Sequence, residues 1–243
     1  MEQCGGAGHS LQIAKRLSKN GLLIGIDRDE EALKVAKERL KEFDNIKYVH
    51  NNHDNIREIL EELNIDKVDG ILLDLGVSSY QIDESTRGFT YINNGPLDMR
   101  MDKTQELTAE YVVNNYCEED LARIIYEYGE EKFSRRIAKN ICEYRKLEKI
   151  TTTNKLVEII KSSVPNNPRE GHPAKRTFQA IRIEVNNEIK PLYSSVINSA
   201  KSLKGNGRLC IITFHSLEDR AVKEAYVDLA RKCLTTKKKE HRI

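Results

Sequence analysis

Asp74 closes the apolar run Ile71-Leu72-Leu73 and is followed almost at once by Gly76. A run without alternation suits a strand covered on both faces, and in open α/β sheets ligands bind outside the carboxyl ends of strands, so a carboxylate there is well placed for function. Asp27 ends a similar run, LLIGID. It lies about 20 positions after the turn Gly5-Gly6-Ala7-Gly8, the spacing at which an acid hydrogen-bonds ribose hydroxyls while glycines let backbone approach the ligand. Together they point to a nucleoside-type cofactor. The turn does not match GxGxxG, which favours an adenosyl-methionine reading over a dinucleotide one. His215 follows a third run, RLCIITF, where a capping or packing role and an active-site role are equally open. His50 and His53 lie three apart, but no carboxylate–cysteine cluster accompanies them, so no metal site is expected.

These residues need a scaffold of alternating strands and helices. After the glycine turn, Leu11, Ile13, Ala14 and Leu17 give a first helix an apolar side, with Gly21 as its expected C-terminal cap. LLIGID is a strand, Asp29 caps the helix EEALKVAKERLKEF, and IKYVH (46–50) is a further strand. A helix around Ile56, Ile59, Leu60 and Leu63 leads to the strand ending at Asp74. This order predicts an α/β fold with a doubly wound sheet. Only Met1 to Cys4 precede the glycine turn, so the first, central strand is expected to be absent. Its neighbours would then present unpaired edges inside the core. Either those four residues improvise a strand, the sheet closes over the gap, or the chain is a fragment of a longer protein.

From Gly76 to Asp102 the chain shows no clear helical period, and a loop that long in a compact domain is usually functional or disordered. Its interleaved polar residues favour function. From about Leu107 to Val164 the pattern is wholly helical, with Thr108 and Thr153 as caps. The expected organisation is therefore a cofactor-binding domain over 1–104 and 166–243 with a helical insertion domain at 105–165. The stretch NNPREGHP forms a loop before the helical AKRTFQAIRIEVNNEI, another helix follows Pro191, and Gly205-Asn206-Gly207 makes a turn before a returning buried strand. SLEDRAVKEAYVDLARK is a final helix, and the tail KKKEHRI is expected to be solvated and disordered.

At 243 residues, with 39% hydrophobic and 32% charged residues, the chain can bury a sizeable core beneath a polar surface. No apolar run approaches the roughly 18 residues of a membrane span. No charged-then-apolar leader is present, so secretion is not expected. Five scattered cysteines without a CxxC pair fit a reducing cytoplasm. Net charge is only +2, yet basic residues cluster: Lys132, Arg135, Arg136, Lys139, Arg145, Lys146 and Lys149 in one segment, Arg169, Lys175, Arg176 and Arg182 in another. Such segments can track a phosphate backbone or simply form solvated helix faces.

Three stretches taken together resemble one family: GILLDLGVSSYQID with RGFTYINNGPLDMRMD, then GHPAKRTFQAIRIEVNNE, then ITFHSLEDR. They are similar, in order and spacing, to the bacterial methyltransferases that modify a cytosine amine in 16S ribosomal RNA. The resemblance runs from Gly5 to about Lys223. It implies a class I (Rossmann-like) methyltransferase fold, S-adenosyl-L-methionine as donor, a helical insertion that helps bind RNA, and 16S ribosomal RNA or the small ribosomal subunit as partner. Carried over by position, the cofactor contacts fall on Ala7, Gly8, His9, Asp27, His53, Asp74 and Gln81. At His53 the family usually has phenylalanine, so an imidazole would stack on adenine more weakly. Family members also carry a longer N-terminal segment with the first strand, and continue beyond this C-terminus. Arg135, Arg136, Lys139, Lys175 and Arg176 become candidate RNA contacts.

The donor's sulfonium methyl is already electrophilic, so transfer needs alignment more than activation, and no metal is required. The cytosine amine is the harder partner, because its lone pair is delocalised into the ring; an acceptor for its N–H bonds would restore nucleophilicity and take the proton. Many amino-methyltransferases use a D-P-P-Y-type motif there, but this chain reads Asp74-Leu75-Gly76-Val77. The catalytic base is therefore unassigned; the candidate catalytic residues are Asp74, Tyr80, Phe89 and His215, with Tyr80 or Phe89 able to stack on a flipped-out base. Two other readings fit the same residues. A dinucleotide-dependent oxidoreductase is disfavoured by the degenerate glycine turn, and a non-catalytic RNA-binding relic would keep the helical insertion alone.

Overall fold

In a computed structural model the described residues are 2, 3, 7–165 and 171–240, with side chains omitted at 2, 3 and 232–240. They form two compact units, Met1–Gly76 with Glu188–Ile243, and Val77–Asn187. The second is wider at both ends than the helical run expected at 105–165.

In the first unit, strand β1 (Glu2–Gln3) precedes helix α1 (Gly8–Ala14), β2 (Leu23–Asp27), α2 (Glu30–Arg39), β3 (Ile46–His50), α3 (Ile56–Glu62) and β4 (Val68–Asp74). After the second unit come α10 (Leu192–Lys201), β5 (Leu203–Ile212) and α11 (Ser216–Glu240). The helices form where apolar spacing and caps agree. Asp29 accepts a hydrogen bond from the Glu31 amide at 3.0 Å and starts α2, whose Ala32, Leu33 and Ala36 face inward. Ile24 and Ile26 of β2, Ile59 and Leu60 of α3, Ile71 and Leu73 of β4, Val196 of α10 and Val222 of α11 share one core.

All pairing between the named strands is parallel, as βαβ order requires, but the sheet is not continuous. Order β1-β2-β3 forms one sheet and β4-β5 another. Glu2 and Gln3 do improvise the missing strand, yet they pair only with Gly25 and Ile26. The remaining edges of β2 and β4 flank a cleft of about 550 Å³ lined by Leu23, Ile24, Gly70 and Ile71. It lies toward the amino ends of these strands, away from Asp27 and Asp74. β2 is buried throughout, whereas in β4 only Ile71 and Leu73 are buried and Leu72 is half-buried, so β4 is not covered on both faces as expected.

Other local expectations are corrected. Helix α1 ends at Ala14, bonds from the Lys15, Arg16 and Leu17 amides continue the turn beyond it, and Gly21 closes the next turn onto Ser18 rather than capping the helix. Gly205-Asn206-Gly207 lies inside β5 as a bulge, Asn206 having φ 64°, where the register jumps from Val68↔Leu203 to Gly70↔Arg208. Helix α11 continues to Glu240, through Lys237, because the lysine-rich end continues a good helix-forming sequence; residues 241–243 lie outside the described residues.

In the second unit, α4 (Ser79–Asp83) and a 3₁₀ turn (Ser85–Arg87) give the expected loop more order than its sequence indicated. Helices α5 (Ala109–Asn115), α6 (Glu118–Gly129), α7 (Ser134–Tyr144), α8 (Thr153–Ser163) and α9 (Lys175–Asn186) follow. Thr108 caps α5 as expected. Thr152, not Thr153, caps α8, because the Thr153 hydroxyl is buried and committed to the loop: it accepts from the Gly95 amide at 3.0 Å and donates to Asn93 O at 3.0 Å. Leu121, Ile125, Ile137, Ile141, Leu156, Ile160 and Ile181 are essentially inaccessible to solvent. The expected loop at NNPREGHP falls largely on 166–170, outside the described residues.

Candidate functional site

The cofactor-side residues of the first unit sit at the carboxyl ends of β2 and β4 and at the start of α1. Cys4, Gly5 and Gly6 of the expected glycine turn lie outside the described residues. Ala7 is buried, adopts a left-handed φ of 53° and caps α1 with no side-chain bond. At Gly8 an added Cβ would meet no described atom within 4 Å, so the backbone there faces open space. Asp27 ends β2 and is only 5% exposed; its Oδ1 accepts from the Asp29 amide at 2.9 Å, which holds the carboxylate in place. His50 is turned to the Arg28 carbonyl, 3.0 Å from Nε2, and so is occupied locally.

His53 is held inward. Its Nδ1 lies 3.0 Å from both Ser195 Oγ and Asp54 Oδ1, and one ring proton cannot serve both. The ring is ordered by α10, an environment the sequence did not reveal. Burial pushes the Asp54 carboxyl up, but the bond and charge of His53, with Arg28 and Ser195, bring it below its ordinary value.

At the end of β4, Asp74 Oδ2 lies 3.8 Å from His9 Nε2. Burial raises the Asp74 pKa; the charge of His9 opposes this and that of Glu218 adds to it, leaving the net direction upward. Glu218 was not singled out by sequence reasoning. It is 2% exposed, sits on the first turn of α11, and its Oε2 accepts from the Phe214 amide at 2.8 Å. Its Oε1 faces Gly76, 3.8 Å from where a Cβ would stand. His215 lies beside it, with Nε2 3.3 Å from Glu218 Oε1, and Glu188 completes a group of three. The i,i+3 spacing of His215 and Glu218 was visible in the chain; the approach of Glu188 was not. Phe214, also missed, is 67% exposed at the same strand end.

In the second unit, Gln81 closes a capping box with Ser78: its Oε1 accepts from the Ser78 amide at 3.0 Å, and its own amide donates to Ser78 Oγ at 3.2 Å. Tyr80 is 48% exposed, whereas Phe89 is 8% exposed with the Arg87 guanidinium 5.8 Å over its ring. Phe89 thus packs the loop and offers little face to a base. Among the candidate RNA contacts, Arg135 and Lys175 are exposed, and Lys139 lies 3.8 Å from Glu143. Arg136 and Arg176 have structural work. Arg136 donates from Nε to the Ser163 carbonyl at the end of α8 and lies 5.0 Å over the Phe133 ring. Arg176 donates to the carbonyl of Glu130, the C-cap of α6, at 3.0 Å. Both sit where helix ends favour cations. Tyr126, Phe133, Arg123 and Arg135 line a groove of about 890 Å³, together with the acidic Glu118 and Glu119.

Comparison with known proteins places this geometry in context. A model of the MraW methylase family matches residues 3–240. A "Ribosomal RNA small subunit methyltransferase H" of Clostridium botulinum (strain 657 / Type Ba4) is 59% identical over 230 residues, covering 94% of this chain and 74% of that protein. The protein of the same name from strain Kyoto / Type A2 is similar to the same extent.

Proposed function

The chain belongs to the MraW methylase family and is a methyltransferase, and from that premise we propose that it methylates the exocyclic amine of a cytosine in 16S ribosomal RNA of the small subunit. S-adenosyl-L-methionine is the proposed donor, bound on a class I, Rossmann-like arrangement, with the cytoplasm as the proposed location. Among the described residues, no helix is long and apolar enough to cross a membrane. The observation that carries the reading is the pair of carboxylates, Asp27 and Asp74, at the carboxyl ends of β2 and β4 in one unit.

The residues present fit that donor. Asp27 is buried and pre-oriented for paired hydroxyls, and Gly8 leaves room for close approach. When bound, S-adenosyl-L-methionine supplies an electrophilic methyl group. Asp27 accepts the ribose hydroxyls, and Ala7, Gly8 and His9 border the remainder. His53 and Gln81 are proposed cofactor neighbours whose first task is local order. Burial raises the Asp74 carboxyl above its ordinary value, which suits it to accept an N–H of the amine. Phe214 in the first unit, and separately Tyr80 in the second, each expose a ring face of the kind on which an extruded base can stack. Arg135, Lys139 and Lys175, together with the Tyr126–Phe133 groove, provide cations and rings for an RNA backbone. The proposed domain roles are 1–104 with 166–243 for the donor and 105–165 for RNA, with Lys175 an RNA contact outside the latter.

The test is transfer of labelled methyl from S-adenosyl-L-methionine to small ribosomal subunits. Asp74→Asn is expected to bind the donor and lose transfer. Full transfer by that variant removes Asp74 from the chemistry, and no transfer by the folded wild-type chain removes the activity.

A further inference from the structure

We propose that Glu188, His215 and Glu218 form a binding site for one divalent transition-metal ion at the carboxyl end of β5. One ligand atom from each of the three lies within 4.8 Å of the others. They come from two places in the chain. Glu188 precedes α10, while His215 and Glu218 stand one turn apart at the start of α11. His215 has a side chain only 10% exposed, yet among the described residues neither ring nitrogen has a hydrogen-bond partner. A buried imidazole with two unbonded nitrogens is costly, because each was hydrogen-bonded to water before folding. The contact from Nε2 to Glu218 Oε1, 3.3 Å long, lacks hydrogen-bond alignment. That separation is what a shared ion would impose, since bonds of about 2.0 Å in a tetrahedron put ligand atoms about 3.3 Å apart.

Glu218 is also oriented as a ligand. Its Oε2 is held by the Phe214 amide at 2.8 Å, leaving Oε1 turned toward His215. A second hydrogen bond that fixes the far oxygen of a ligating carboxylate is the usual way a site is aimed. The donor set, one imidazole and two carboxylates, suits zinc, manganese or iron(II) better than a hard cation such as magnesium, which prefers all-oxygen shells. Two carboxylates neutralise a divalent charge, and three protein ligands leave a further position open to water. Sequence reasoning expected no metal, because it looked for spacing along the chain and Glu188 is 27 positions from His215. The site does not depend on the identity of the methylated nucleotide.

The probe is zinc. Full-length protein is stripped with a chelator, dialysed against zinc, and its metal content measured beside competition titrations; cobalt(II) substitution reports coordination number by its visible spectrum. We expect one zinc per chain and the absorption of a four- or five-coordinate nitrogen–oxygen site. Glu188→Gln and His215→Ala should each weaken zinc binding by at least about tenfold. Glu218→Gln also touches the Phe214 amide, so Glu188→Gln, which lies outside that contact, is decisive if the former unfolds. Binding of S-adenosyl-L-methionine and the thermal melt check that each variant is folded. Zinc binding that is absent, or unchanged in folded Glu188→Gln, overturns the proposal and leaves His215 and the two carboxylates as a packing cluster.

Discussion

Asp27→Asn isolates the charge of the proposed ribose acceptor from its shape. Asparagine is isosteric and keeps an oxygen for the Asp29 amide, now 2.9 Å from Oδ1, so the start of α2 should survive. What disappears is the negative charge on a side chain only 5% exposed, where water screens little. A hydrogen bond to a charged group contributes about 1.5–3 kcal/mol and a neutral one about 0.5–1.5, a difference of about 1–1.5 per bond. Two ribose hydroxyls therefore put the loss at about 2–3 kcal/mol, or about 30- to 150-fold in Kd. The assay is calorimetric titration of wild type and variant with S-adenosyl-L-methionine, with thermal melts in parallel. A variant that melts like wild type and binds within about twofold of it refutes the assignment of Asp27 and the strand-end logic behind it.

Three further outcomes are expected. Asp98 makes a two-pronged bond with Arg100, from Nε to Oδ1 at 3.0 Å and from Nη2 to Oδ2 at 2.8 Å. Burial raises this carboxyl but Arg100 lowers it further, so the net shift is downward. The stabilisation is complete above the unfolded value of about 3.9 and is lost as pH falls through the folded value. Asp98→Asn should therefore be less stable at neutral pH, with the difference shrinking as pH falls below about 4 and vanishing below the folded value in denaturant titrations; a constant difference would exclude this origin. Gly129→Ala puts a Cβ 2.6 Å from the Arg176 carbonyl, where α6 meets α9, and should cost about 1–3 kcal/mol, read as a lower melting temperature. An unchanged melt would mean the helices separate freely. Arg135→Ala should weaken RNA binding and reduce the slope of log K against log salt by about 1, whereas an unchanged slope removes Arg135 from the phosphate contacts.

Much of the scaffold was legible because it is local. Apolar spacing and side-chain caps act over one or two turns, and α3, β3 and α6 appear where those signals place them, while α2 starts at its expected cap but ends at Arg39, short of the expected Phe43. The carboxylates at strand ends were legible for the same reason: an apolar run that stops at an acid marks its own terminus. The split sheet was half legible. The short segment before the glycine turn was legible, but that Glu2 and Gln3 form a strand paired with Gly25 and Ile26 while, among the described residues, β4 pairs with β5 depends on distances between distant segments.

By itself, then, the amino-acid order determined the βα succession, the positions of Asp27 and Asp74, and the resemblance that led to a methyltransferase family, since each is a pattern along one dimension. Tertiary structure alone decided which cations are committed. Arg136 and Arg176 look like any basic residue in a helix, yet folding turns them onto the carbonyls of Ser163 and Glu130. It decided that Phe89 is buried while Phe214 is exposed, since the packing of a ring depends on neighbours remote in sequence. It also brought Glu188 to His215 and Glu218, because side-chain convergence within 4.8 Å is a property of space, and no periodicity in the chain encodes it.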